Sequence, residues 1–290
     1  MINSHIHLIE EDPDEYLELL VKRMDEHGIA ASVLFSAQLE QSLEDSAVRE
    51  ATKKYPGRFI PFLCKTVDIS REDSHSRCQD ELQTAFWKGV GELFLDCTDD
   101  ETARYTDREG VEHIVRKPFP VKREDDLLYS WILRSCGQRS LPVMVHCMDP
   151  AVMERTLMKY PETHFIWAHA DHGFYNSIPM DLMQEYPHLY CDFGVEFRFL
   201  SAKLFSDQAE SWVIDHLRRW QEMCQRFPDR IVWGTDLFAW EDLEPKNFAM
   251  GVRAWHKIAE GLTDDQKQAV AGKNILRLTG VAEQGLRAHG

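Results

Sequence analysis

Short apolar runs alternate with longer helix-patterned stretches along the whole chain, and this alternation narrows the available folds more than any other feature. The runs are MINSHIHL (1–8), AASVLFSA (30–37), RFIPFLCK (58–65), GVGELFLD (89–96), LPVMVHC (141–147), HFIWAHA (164–170), LYCDFG (189–194) and RIVWGTD (230–236). They are rich in branched and aromatic residues, and most are nearly continuous in hydrophobicity, as parallel strands buried on both faces must be. Between them, DPDEYLELLVKRMDEHG (12–28) places Tyr16, Leu19, Leu20 and Met24 at helical spacing, with Gly28 as its stop. LEDSAVREATKKYPG (43–57), DDLLYSWILRSCG (125–137), PAVMERTLMKYP (150–161), SWVIDHLRRWQEMCQRFP (211–228) and EPKNFAMGVRAWHKIAEG (244–261) follow the same plan. TDDQKQAVAGKNILRLTG (263–280), with Thr263 as N-cap, reads as one additional C-terminal helix. The stretch 97–124 reads as a long loop over the mouth that follows the fourth strand.

Eight strand–helix units in 290 residues predict an α/β fold of the (β/α)8 TIM-barrel type, one domain spanning 1–290 with an extra C-terminal helix. An open doubly wound sheet is the other arrangement such a pattern allows, but no glycine-rich phosphate loop follows the first run. Hydrophobic residues make up 43% of the chain, enough for a sizeable core. The net charge is −16, from 49 acidic against 33 basic residues, a surface that repels nucleic acid and anionic membranes. The opening segment has neither the basic nor the apolar region of a secretory leader, and no run approaches a membrane span. Seven cysteines without a CxxC pair suit reduced, partly buried thiols, so a cytoplasmic location is expected.

His5 and His7 lie two apart on the first run, so their side chains leave the same face of a strand. If that face is the barrel interior, two imidazoles converge on one point, as a metal requires; an edge strand would instead leave both on the surface. His146, His169 and Asp236 each fall at the end of a later run. In a barrel these ends share one face, so four imidazoles and one carboxylate would meet at a common centre.

The order HxH on strand one, histidines on strands five and six, and aspartate on strand eight resembles the amidohydrolase superfamily. It is closest to its amidohydrolase 2 branch, which includes decarboxylases, lactonases and hydratases related to aminocarboxymuconate-semialdehyde decarboxylase. The segments that carry the resemblance are NSHIHL, LPVMVHC, IWAHADHG, IVWGTDLF and AVAGKNILRLTG, from residue 3 to about 280. The resemblance implies a divalent metal held by His5, His7, His146, His169 and Asp236, with zinc expected and manganese or iron as alternatives. It implies that Asp236 both touches the metal and accepts a proton from the attacking water. His169 is either a further ligand or the group that polarises the substrate.

Two departures bear on this. Asn3 stands where the family often has aspartate, which is expected to weaken a contact to a ligand histidine. Strand four ends without a lysine that could be carbamylated; Glu92 is the candidate there, and in TatD-like hydrolases a glutamate from strand four bridges two metals. Glu92 therefore opens the choice between one ion and two, unless it pairs with a basic residue near the mouth.

His172 and Arg198 are candidate substrate contacts, Arg198 as a bidentate clamp for a carboxylate or as a partner of Glu196, with Arg104 and Lys117 as further cations. Trp167, Trp233 and Trp240 read as barrel core or wall, and His75, His113, His188, His216, His256 and His289 as residues in polar surroundings. The leading functional expectation is hydrolysis of a C–O or C–N bond in a small organic substrate by metal-activated water. Non-oxidative decarboxylation or hydration of an unsaturated or aromatic carboxylic acid uses the same ligands, and a non-catalytic metal-binding barrel is the third reading. The resemblance also implies a homodimer as the candidate assembly.

Overall fold

The computed structural model describes residues 1–8, 12–38, 42–68, 72–96, 102–106, 112–116, 126–147, 149–170, 178–194 and 211–286. Eight parallel strands form one sheet: β1 (Ile2–His7), β2 (Ala31–Phe35), β3 (Phe59–Leu63), β4 (Gly89–Asp96), β7 (Val143–Cys147), β8 (Phe165–Trp167), β9 (Leu189–Asp192) and β10 (Ile231–Val232). The regular pairing of β10 stops at Val232, yet the segment beyond it bonds back to β1. Ser4 N–H donates to Trp233 O (2.8 Å), Asp236 N–H to His5 O (2.9 Å) and His7 N–H to Leu237 O (2.8 Å). The architecture is the (β/α)8 barrel that the alternation predicts.

Helices α1 (Pro13–Glu26), α2 (Asp45–Lys54), α3 (Ser74–Gln83), α4 (Leu127–Arg139), α5 (Pro150–Lys159), α6 (Ile178–Glu185) and α7 (Ser211–Arg226) lie between successive strands of the barrel, and α8 (Pro245–Ala259) follows the last. Their ends carry the expected chemistry. Asp12, Asp126 and Asp149 accept backbone N–H groups as N-caps, and Gly28 takes a left-handed φ of 66° just past α1.

Alternation along each strand divides the core in two. Val33, Phe35, Ile60, Phe62, Met144, Ile166, Tyr190 and Val232 form the barrel interior. Leu34, Val143, Val145, Phe165, Trp167, Leu189 and Trp233 face the helices instead. Trp167 and Trp233 are fully buried wall residues, and Trp240 packs edge-on against Tyr16.

Three sequence expectations need correction, and one helix has no counterpart in the sequence reading. The stretch 97–124 is not all loop: β5 (Thr102–Thr106) pairs antiparallel with β6 (Glu112–Arg116), because Thr102, Tyr105, Thr106, Ile114 and Val115 are β-branched or aromatic residues that favour a pleated pairing. The C-terminal segment is not one helix. Thr263 does cap α9 (Asp264–Gln268), but a π-turn (Ala269–Lys273) follows, broken at Gly272, before α10 (Asn274–Thr279). The break lets α10 turn inward, so that Ile275 and Leu278 plug the interior and Asn274 Nδ2 donates to Pro228 O and Ile231 O, each at 2.7 Å. Helix α3 carries too weak an apolar pattern to be read from sequence, burying only Ser74, Cys78 and Leu82. His216 does not lie in polar surroundings but is buried on α7, its Nδ1 3.3 Å from Arg219.

Candidate functional site: a histidine–carboxylate cluster at the barrel mouth

β1 bulges between Asn3 and Ile6, and His5 and His7 both turn into the lumen against Phe35, with ring centroids 5.3 and 4.7 Å from it. They are buried, not exposed on an edge strand. The Nε2 atoms of the two rings lie 3.3 Å apart, and each is 3.1 Å from Asp236 Oδ1.

Glu92 reaches the same place through a local irregularity. The register of β4 against β7 shifts between Val90 and Leu93, so Val90 faces the helices while Glu92 faces the lumen. Gly91 makes this turn at φ 130°, and a Cβ there would overlap the Met144 carbonyl oxygen and come within 2.9 Å of Met144 Cβ. Only glycine fits beside β7 at that point.

The carboxylate of Glu92 then stands between two pairs of imidazoles. Its Oε2 is 3.6 Å from His5 Nε2 and 3.4 Å from His7 Nε2. Its Oε1 is 3.0 Å from His169 Nε2 and 3.5 Å from His146 Nδ1, and those two nitrogens are 3.1 Å apart. Glu92 does not pair with a lysine or arginine among the described residues.

His169 and Asp236 do not close their strands, as the sequence suggests; strand pairing ends at Trp167 and Val232, and both residues sit just beyond. Each adopts a left-handed backbone, φ 39° and 50° respectively, at a cost of order 1–3 kcal/mol that cooperative packing around a site can hold. These turns swing both side chains into the mouth. His5, His7, Glu92, His146, His169 and Asp236 therefore meet at the mouth, each at most 7% exposed. His172, Arg198 and Lys117 lie outside the described residues; Arg104 lies on β5.

Electrostatics bind the cluster together. Burial alone would lower the pKa of His5, but the charge of Asp236 and hydrogen bonds to Asp192, Asp236 and Glu92 outweigh it and hold the ring well above its ordinary value. Burial likewise opposes protonation of His7, and hydrogen bonds to Asp236 and Glu92 raise it. Burial would raise Glu92 and Asp236, but the surrounding imidazoles hold both carboxyls well below the usual range.

Supporting residues escape the sequence reading. Asp192, at the end of β9, is fully buried with Oδ1 3.4 Å from His5 Nδ1. LYCDFG carries the same signal that marks His146 and Asp236, a ligand-type residue ending a strand. Ser36 O lies 3.3 Å from His7 Nδ1, and the Ser36 hydroxyl donates to Asp45, whose carboxylate also accepts the N–H groups of Cys64, Lys65 and Thr66. Asn3 contacts His5 through the backbone: its Oδ1 accepts from His5 N–H and Thr235 N–H, each at 3.1 Å, tying β1 to the segment that carries Asp236.

The donor set suits a divalent cation. His5, His7 and Glu92 form one compact ligand group, and Glu92, His146 and His169 a second. Imidazole nitrogens held 3.1–3.3 Å apart in a buried site need either a shared proton or a cation between them, and imidazole with carboxylate is a borderline donor set that fits zinc and its neighbours. Among the described residues no cysteine takes part. The described cysteines are free and buried, and burial pushes the Cys78 and Cys136 thiols up to about 12. Among the described residues, no helix is long and apolar enough to cross a membrane.

Solved structures share this fold at low identity. A TatD homologue from Escherichia coli is 15% identical with a TM-score of 0.64, covering 97% of this chain and 98% of its own. A putative 2-pyrone-4,6-dicarboxylic acid hydrolase from Pseudomonas putida is 16% identical with a TM-score of 0.62, covering 96% and 97%. An amidohydrolase from Burkholderia multivorans with bound zinc is 12% identical with a TM-score of 0.58, covering 97% and 99%. No curated protein sequence matches the chain. The amidohydrolase family model matches residues 2–281, nearly the full length, and the protein accordingly belongs to that family and is an enzyme of the amidohydrolase superfamily.

Proposed function

We propose that the protein is a metal-dependent hydrolase of a C–O or C–N bond in a small organic substrate, working at the C-terminal mouth of its barrel. The observation that carries this reading is the position of Glu92, with one carboxylate oxygen on the His5–His7 pair and the other on the His146–His169 pair. His5, His7 and Asp236 would hold one divalent ion, zinc by preference, and His146 and His169 a second, with Glu92 shared between them. When bound, such an ion lowers the pKa of a coordinated water to about 7 and polarises a substrate oxygen.

The protein's own groups do the rest. Asp236 accepts the proton of the attacking water and returns it to the leaving group. In the metal-free protein the His5 and His7 imidazoles hold its carboxyl down, so it stands ionised and able to accept a proton. Phe35 against His7 and Phe94 against His146, the latter with centroids 5.0 Å apart, keep water from the flanks of the cluster. The resemblance to hydrolase structures, one of them solved with zinc, supports hydrolysis over decarboxylation.

Metal analysis of the purified protein tests the site, with about two equivalents expected from the paired groups. Asp236→Asn tests the chemistry: a folded, metal-loaded protein should lose about 10²–10⁴-fold in turnover of whichever ester, lactone or amide it hydrolyses. Near-normal turnover would remove Asp236 from the mechanism, and protein that takes up no metal after reconstitution would overturn the reading.

A further inference from the structure

We propose that Asp192 is a positioning residue that holds the His5 ring through Nδ1 so that Nε2 is presented to the metal centre. The inference deepens the reading of His5 as a ligand and rests on it. Asp192 sits at the last position of β9 and is fully buried. Its Oδ1 accepts the Gly194 N–H at 2.7 Å and faces His5 Nδ1 at 3.4 Å, while its Oδ2 accepts the Ser4 hydroxyl at 2.6 Å.

The surroundings are shaped to this carboxylate. A Cβ on Gly234 would overlap Asp192 Oδ2 and crowd His5 Cβ at 2.7 Å and Ser4 Oγ at 2.8 Å. A Cβ on Gly194 would come within 2.9 Å of both Asp192 Oδ1 and Asp236 Cβ. Two glycines from two different segments therefore leave room for one acidic side chain. Among the described residues His5 is the sole ion-pair partner of Asp192. A buried carboxylate with no lysine or arginine beside it is costly, and the imidazole is the group that gives its charge a use.

The consequence lies in which nitrogen of His5 is free. An acceptor at Nδ1 keeps the proton there and leaves the Nε2 lone pair toward Glu92 and Asp236, and a charged acceptor makes that nitrogen the better donor to a metal. His7 differs, since its Nδ1 faces a neutral acceptor, the Ser36 carbonyl, at 3.3 Å. Loss of the Asp192 charge should therefore act on one ligand of the pair and spare the other.

Asp192→Asn separates this role from simple bracing. The amide keeps the size, still accepts from Gly194 N–H, and can donate to Ser4 Oγ; only the charge on the His5 side is lost. Zn²⁺ affinity would be measured by competition with a chromophoric chelator for wild type, Asp192→Asn and His5→Ala, with circular dichroism to verify folding. The expected result is a folded Asp192→Asn protein whose tighter Zn²⁺ site is weakened about 10- to 100-fold, beside a larger loss in His5→Ala. ¹⁵N NMR of the zinc-loaded wild type should show a His5 Nδ1–H resonance, absent from His5→Ala, that moves in Asp192→Asn. Unchanged affinity in Asp192→Asn with a clear loss in His5→Ala overturns the positioning role and leaves the metal site standing. Unchanged affinity in His5→Ala overturns the ligand reading beneath it. Should Asp192→Asn fail to fold, the wild-type spectrum decides: a proton on Nε2 of His5 in the zinc-loaded protein refutes the proposal.

Discussion

Raising the pH should widen the stability gap between the metal-loaded and the metal-free protein. In the metal-free protein His5 and His7 have raised pKa values, because Asp236, Glu92 and, for His5, Asp192 outweigh the cost of burial. A raised folded pKa contributes stability that is fully present below the unfolded value near 6.5 and is lost as pH climbs toward the folded value. Loaded protein must hold both rings neutral, so its stability rises with pH up to about 6.5 and then levels off with respect to these two groups. The gap between the two curves corresponds to the protons expelled by the metal. One proton is worth about 1.4 kcal/mol per pH unit, and two about 2.7 kcal/mol. With an unfolding entropy of about 0.6 kcal/mol/K for 290 residues, the gap in Tm should widen by roughly 4 °C per pH unit. Thermal melts at half-unit steps from pH 5.5 to 8, with excess Zn²⁺ or with chelator, measure this directly. Calorimetric titration in buffers of different ionisation enthalpy counts the protons independently. Parallel curves with no proton release would refute the argument that these imidazoles exchange protons for a cation.

Other consequences follow from single residues. Glu92→Gln keeps the shape but turns an amide NH₂ toward one imidazole pair, so bound metal should fall from about two equivalents to about one or none; two retained equivalents would remove Glu92 as the shared ligand. Gly91→Ala must place a Cβ against Met144 at a φ of 130°, which strain and overpacking together put at about 2–5 kcal/mol, a drop of roughly 3–8 °C in Tm. A wild-type melt for Gly91→Ala would mean that β4 and β7 are not in the close register described. Acid should also weaken the metal-free cluster: Glu92 and Asp236 have depressed pKa values, so their contribution is present above the ordinary carboxylate range and is lost as pH falls through their folded values. Asp236→Asn and Glu92→Gln should flatten that acid limb in chemical-denaturation titrations.

The barrel and much of its site were legible in the linear sequence, for a physical reason. Strands buried on both faces must be apolar throughout, so RFIPFLCK and LPVMVHC announce themselves, and polar ligand residues such as His146 stand out at their ends. The two-residue period of a strand likewise fixes that His5 and His7 share a face before any fold is known. Helix α3 and the antiparallel β5–β6 pair escaped because their patterns are weak over few residues. What only the tertiary structure decided is how the groups are aimed. Gly91 turns Glu92 inward because the Met144 carbonyl leaves no room for a side chain there, and left-handed turns at His169 and Asp236 carry those side chains past the ends of their strands. Asp192 meets His5 from 187 positions away, through an opening that Gly194 and Gly234 leave. Period and hydrophobicity are local properties that sequence encodes directly; the distance between two carboxylate oxygens and four ring nitrogens depends on closing the barrel, which sets the ends of the first and last strands side by side at one mouth.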